Sequence, residues 1–214
     1  MIRKAIHNDY LSNKDFITSK EYKTHFQRLY DKNKLMLIMI CNDIVVRINH
    51  IELLCASYSS FKNCYQSLSN DEKSYYSAKL KDFIIVEDII YHARKTVDQM
   101  IYGLWINKVG VNNINDKTKE IDSIGKYLKR QTIYKVIDEL DSFYNFIDNL
   151  NEISNSYKHS VSDFSHIETD LNNNQTNPVF YSYTFKENDK DIKIGQYELI
   201  EQIKKMFDHF LSCI

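Results

Sequence analysis

The sequence predicts an all-α protein: a single bundle of long antiparallel helices with one β-hairpin before the C-terminal helix. Three observations carry this. The 214 residues include four Gly and one Pro, whereas an average domain spends roughly 12% of its residues on the two, so tight turns are scarce. Apolar residues recur every three or four positions through three long segments, the period of a helix with one buried face. A single short segment, Val179 to Phe185, has the aromatic and β-branched composition of a strand.

In chain order, residues 1–33 are a polar N-terminal extension of the one domain, 1–214, with a short helix from Ser19, an N-cap type, to about Tyr30. A long helix is predicted from Lys34 to Gln66, with Leu37, Cys41, Ile44, Ile48, Ile51, Cys55, Tyr58 and Tyr65 on its inner face. Ser69-Asn70-Asp71-Glu72 has the small polar cap and acids that suit a helix start. The second long helix runs from there to Val109, where Gly110 offers a left-handed stop. A short helix is placed over Lys117–Leu128 and a fourth main helix over Thr132–His159. The segment 178–195 reads as the hairpin, turned at Glu187–Lys190, and Gln196–Ser212 as a last amphipathic helix.

Composition bounds function more loosely. With 43% hydrophobic and 27% charged residues, a packed core is available and wholesale disorder is not expected. The net charge of −1 removes any global electrostatic drive toward nucleic acid, although a local patch is still allowed. Most basic residues are Lys, with Arg at positions 3, 28, 47, 94 and 130, and the 16 Tyr read as packing residues with a wet hydroxyl. The N-terminus has no signal-peptide pattern. The longest apolar run, Leu35–Cys41, falls far short of the roughly 18 residues that span a bilayer. A soluble, cytoplasmic protein without a membrane partner is expected. Cys41, Cys55, Cys64 and Cys213 form no CxxC pair, and Cys41 and Cys55 read as buried free thiols. No metal or cofactor is implied, and there is no Gly-rich phosphate loop, G-x-S-x-G or H-E-x-x-H.

Chemistry concentrates at Leu150–Ser160, LNEISNSYKHS, where a regular helix turns polar. Asp148, Glu152, Asn155 and His159 step by four, three and four and so share one face, while Ser154 and Tyr157 lie on the neighbouring buried stripe. The imidazole of His159 can exchange a proton near neutrality, and an amide such as Asn155 can orient a phosphate. Lys158 beside His159 opposes its protonation and Glu152 favours it. The same Lys and His also suit the negative end of a helix dipole with no chemistry at all.

The stretch Ser154–Ser160, SNSYKHS, late in a long helix of an α-bundle, resembles the motif of the HEPN superfamily. The resemblance implies a helical bundle, often dimeric, with Asn155 as the family's polar residue and His159 as its histidine. It extends in architecture over residues 34–214 and in motif over Asn155–His159. It implies RNA or nucleotide-phosphate binding, with His159 and Asn155 as catalytic candidates for metal-independent ribonuclease chemistry and Lys158, Glu152, Ser154 and Tyr157 as binding residues. The family's arginine falls at position 154, where this chain has Ser. Arg94 or Arg130 would have to supply that cation, and Ser154→Arg is expected to gain cleavage where the pocket is otherwise intact.

Two further groups stand apart from the motif. Asp43, Arg47 and His50 step by four and three in the most apolar helix, as a polar network or a ligand site. Glu87, Tyr91, Arg94 and Asp98 read as a charge-laced helix face, and Asp88/His92 is an acid–histidine pair that lacks the repeated Glu-x-x-His of a di-iron site. Three functions are therefore open. A HEPN-like RNA binder, as a homodimer, calls for Asn155 and His159 in a basic groove. A protein-interaction module calls for an exposed apolar patch on the hairpin or last helix, and a ligand-binding bundle for an internal pocket lined by Arg47.

Overall fold

Leu37, Cys41, Ile44, Ile48, Ile51, Cys55 and Tyr58 are all buried, and they form the inner stripe of helix α1 (Lys32–Ser67). The computed structural model describes residues 32–67, 78–110, 121–134, 137–159, 179–182 and 192–214, so the predicted helix at 19–30 lies outside the described residues, as does the side chain of Tyr65. Uninterrupted by Gly or Pro, α1 is about 54 Å long. Helix α2 (Ala78–Val109) buries Val86, Ile90, Ala93, Val97, Met100 and Leu104. It stops at Gly110, whose φ of 80° and N–H bond to the Ile106 carbonyl at 2.7 Å make the predicted left-handed stop. The two helices are antiparallel, since Asp43 meets Gln99 and His50 meets His92.

Helix α3 (Ile124–Tyr134) starts later than the predicted Lys117. Its first amide, Ile124 N–H, donates to Asp98 Oδ1 of α2 at 2.8 Å, so the cap comes from another helix and leaves no trace in the local sequence. The predicted continuous helix over 132–159 is broken. Ile137 is non-helical (φ −137°, ψ 80°) and leads into a 3₁₀ turn, Asp138–Phe143, before α4 (Tyr144–His159). The break lets Ile137 and Leu140 both enter the core. Neighbouring helices hold the turn in place: His209 Nε2 bonds to the Glu139 carbonyl at 2.6 Å, and Lys108 lies 3.9 Å from the Glu139 carboxylate.

Strands β1 (Val179–Ser182) and β2 (Ile192–Gly195) pair antiparallel, with Val179 opposite Gly195 and Ser182 opposite Ile192. The cross-strand partners Phe180 and Ile194 are both buried, so one face of the pair closes the bundle. Helix α5 (Gln196–Cys213) follows directly and buries Leu199, Ile203, Met206 and Phe210. At Gly103 of α2 a Cβ would sit 2.7 Å from Phe210 Cε2, so the missing side chain is what lets the ring of α5 reach the backbone of α2. The described residues thus form an all-α bundle with this short strand pair ahead of its last helix. Cys41 and Cys55 are buried free thiols, each pushed up to about 12 by burial. Among the described residues no helix is long and apolar enough to cross a membrane.

Candidate functional site

Helix α4 is built on Ile147, Leu150 and Ile153, all fully buried. Ser154 continues that stripe at 3% exposure, and Asp148, Glu152 and Asn155 are half-buried on the adjoining sector. The predicted division between a buried stripe and a polar sector therefore holds as far as Tyr157, which is half-buried. His159 closes the helix; its side chain and that of Lys158 lie outside the described residues.

A serine in a buried stripe needs a polar partner, and here it has two. Arg94 of α2 donates from Nη1 to Ser154 Oγ and to Asn155 Oδ1 at 3.1 Å. The Ser154 hydroxyl passes its own proton to the Asn151 carbonyl at 3.0 Å. Donor and acceptor capacity at Ser154 are thus both used within one network, and the guanidinium is held across the face of α4 at Ser154 and Asn155. The partners of Arg94 among the described residues are neutral, and no ion pair to it is found among them. Its Nε and Nη2 find no further acceptor among them either. Arg130, the other candidate to supply the cation, has a side chain outside the described residues.

This corrects the expected laced face on α2. Arg94 turns to α4, Asp98 is buried as the cap of α3 with Lys95 3.5 Å away, and Tyr91 is 51% exposed. The signal for Arg94 was its place between the core residues Ala93 and Val97, which puts it on the flank of the buried stripe rather than on the outer face.

The other predicted group, Asp43, Arg47 and His50, is joined by residues of α2 that the spacing along α1 did not reveal. Arg47 Nε donates to Asp43 Oδ2 at 3.2 Å and its Nη1 lies 3.2 Å from His92 Nδ1. Gln99 Nε2 also donates to Asp43, and the rings of His50 and His92 meet edge to face, centroids 4.5 Å apart. A signal for this pairing was present. His50 and His92 are both 21 residues from Asp71, and Asp43 and Gln99 both 28 from it, the symmetry of an antiparallel helix pair connected near that residue. The cluster sits on the shoulder between α1 and α2, with the Arg47 side chain 23% exposed, rather than in an internal pocket.

The expected apolar patch on the hairpin or last helix reduces, among the described residues, to Tyr197, which is 62% exposed. Exposed apolar side chains gather instead on α1, where Met39, Val46 and Leu53 are spaced by seven. No group of three or more His, Cys, Asp or Glu side chains among the described residues could hold a metal ion. No family model, curated protein or solved structure matches the chain.

Proposed function

We propose that the protein is a HEPN-like helical protein that binds RNA through its phosphates, with Arg94 and Asn155 as the binding groups and His159, four residues after Asn155 on α4, as the acid–base group. The observation that supports this reading is the Arg94 guanidinium bridging Ser154 and Asn155 with no carboxylate on it among the described residues. A fixed cation without a counter-ion is a ready phosphate partner, and its planar donors suit phosphate oxygens better than an ammonium does. The small Ser154 leaves room for this side chain, so the cation missing from the motif arrives from α2.

In metal-independent cleavage a cation stabilises the charged phosphorane while a histidine moves protons between the 2′-hydroxyl and the leaving oxygen. Arg94 and His159 are the groups for those two tasks. A homodimer, in which two copies of α4 face one RNA, belongs to the same proposal. Binding and cleavage of single-stranded and structured RNA by wild type, Arg94→Ala, Asn155→Ala and His159→Ala test it. Loss of binding in the first two, and loss of any cleavage in the third, are expected. Equal binding by wild type and Arg94→Ala would remove the reading.

A second reading, a protein-interaction module, is favoured by one observation: the exposed Met39, Val46 and Leu53 line on α1, an arrangement suited to a partner helix. Under it, Val46→Glu abolishes a partner complex seen by size-exclusion chromatography while RNA binding is unchanged.

A further inference from the structure

His92 and Arg94 are two residues apart on α2, about 200° around the helix, so they face different neighbours. The His92 side belongs to α1, and its hydrogen bonds fix the protonation pattern. Arginine is always a donor, so His92 Nδ1 must accept from Arg47 and the ring proton sits on Nε2. Arg47 is held at two points, by Asp43 through Nε and by His92 through Nη1, which sets the direction of its second amino group. Asp43 is itself held by Gln99. Among the described residues no acceptor meets His92 Nε2–H or Arg47 Nη2, and neither ring nitrogen of His50 has a hydrogen-bond partner. Three nitrogen-bearing groups thus meet at one half-buried place, each with a ring or guanidinium nitrogen unused among the described residues.

We propose that Arg47, His50 and His92 form a binding site for a phosphate-class oxyanion between α1 and α2, separate from the one at Arg94. The tie between the helices is already made by Arg47 to His92 and by Gln99 to Asp43. It gives no reason to stack a second imidazole against His92 or to leave both rings open. The groups facing His92 are Arg47, His50 and Asp43 from α1 and Asp88 and Tyr91 from α2. In the free protein burial, then His50 and Arg47, lower its proton affinity, while Asp88 and Asp43 act the other way. While His92 is neutral, Asp43 and Asp88 outweigh Arg47; a second proton on His92 adds positive charge and, since the ring then only donates, releases Arg47 Nη1 to the ligand as well. A bound dianion therefore favours proton uptake, and affinity rises as pH falls, by up to about tenfold per pH unit for each proton taken up.

Inorganic sulfate is the probe, because it stays a dianion across the range and separates protonation of the protein from that of the ligand. The experiment follows the His50 and His92 ring resonances by NMR, assigned with His50→Asn and His92→Asn, during sulfate titrations at pH 6.0 and 7.5 with ionic strength matched by chloride. Saturable shifts of both rings, at least about fivefold tighter at pH 6.0, are expected. His50→Asn, which breaks no hydrogen bond among the described residues, should weaken sulfate binding at least threefold, and Arg47→Gln should abolish it if the variant folds. Arg94→Ala should leave the His50 and His92 response unchanged, so this site and the RNA site fail independently. Shifts no larger than those from chloride, unsaturable shifts, unchanged affinity in His50→Asn, or a response lost in Arg94→Ala would each overturn the proposal. Nucleoside monophosphates titrated in parallel show whether the occupant carries more than the oxyanion.

Discussion

Arg94 and Arg47 are both half-buried and both reach across to a neighbouring helix, yet they are held in opposite ways. Arg47 leans on a carboxylate, Asp43, and its charge is balanced on its own helix. Arg94 leans on a hydroxyl and an amide, which fix its direction without cancelling its charge. An ion pair within one helix balances the charge of an arginine locally. A neutral cradle does not, and what it costs is the desolvation of a charge that only a ligand can offset. Of two facing helices, α1 thus carries an arginine paired to a carboxylate and α2 one held by neutral groups among the described residues.

The largest expected effect comes from adding a second cation to the open one. Ser154→Arg would place a charge at a site already occupied by Arg94 and buried at 3% exposure. Thermal and urea unfolding should show a loss of about 3–5 kcal/mol, and no cleavage should be gained. The double variant Arg94→Ser/Ser154→Arg, which moves the cation from α2 to α4, should recover most of that loss. Failure to recover it would show that the two sides of the contact are not equivalent.

Removal of the open cation is next. Arg94→Ala should cost about 1–3 kcal/mol by stranding Ser154 and Asn155, and weaken RNA binding at least about tenfold, as expected for losing a charge-assisted hydrogen bond. Arg47→Ala, measured by the same fluorescence anisotropy, should change RNA affinity less than threefold. Similar losses for both would break the distinction drawn between them. A control on α2 that touches neither arginine is Gly103→Ala. Overpacking against Phe210 should outweigh the gain in helix propensity, for a net loss of about 1–2 kcal/mol with RNA affinity unchanged.

The smallest effect is in pH. His92 has a lowered proton affinity in the folded state, so between its folded value and 6.5 the unfolded chain binds more protons. Stability from this group is complete above about pH 6.5 and falls as the pH drops below it. The slope of melting temperature between pH 7.5 and 5.5 should flatten in His92→Asn and, by the proposed oxyanion linkage, also in sulfate.

The inner stripes of α1 and α2 and the stop at Gly110 were legible in the sequence because each is set by residues within a few positions; on α5 Leu199, Ile203 and Phe210 follow the expected face, but Met206 is buried where Phe207, half-buried, was expected. The start of α3 and the break at Ile137 were not legible, because Asp98 and His209, distant in sequence, decide them. Asn155 and Ser154 could be placed on their faces of α4 from spacing. That Arg94 crosses to them could not, since periodicity gives the side of a helix and not which neighbour stands there. The His50–His92 pairing lies between these cases: symmetry about Asp71 contains it, once the two helices are taken as one antiparallel unit.

The hydrogen bond from the Ile124 amide to Asp98 has a consequence for the order in which the chain assembles. Because α3 lacks a cap of its own at this amide, its first turn gains protection when it docks on α2. The Ile124 proton should therefore exchange with solvent at a rate set by opening of the α2–α3 contact, slower than its neighbours in the exposed first turn. In Asp98→Asn that single amide should accelerate most, making it a reporter of when the short helix joins the bundle.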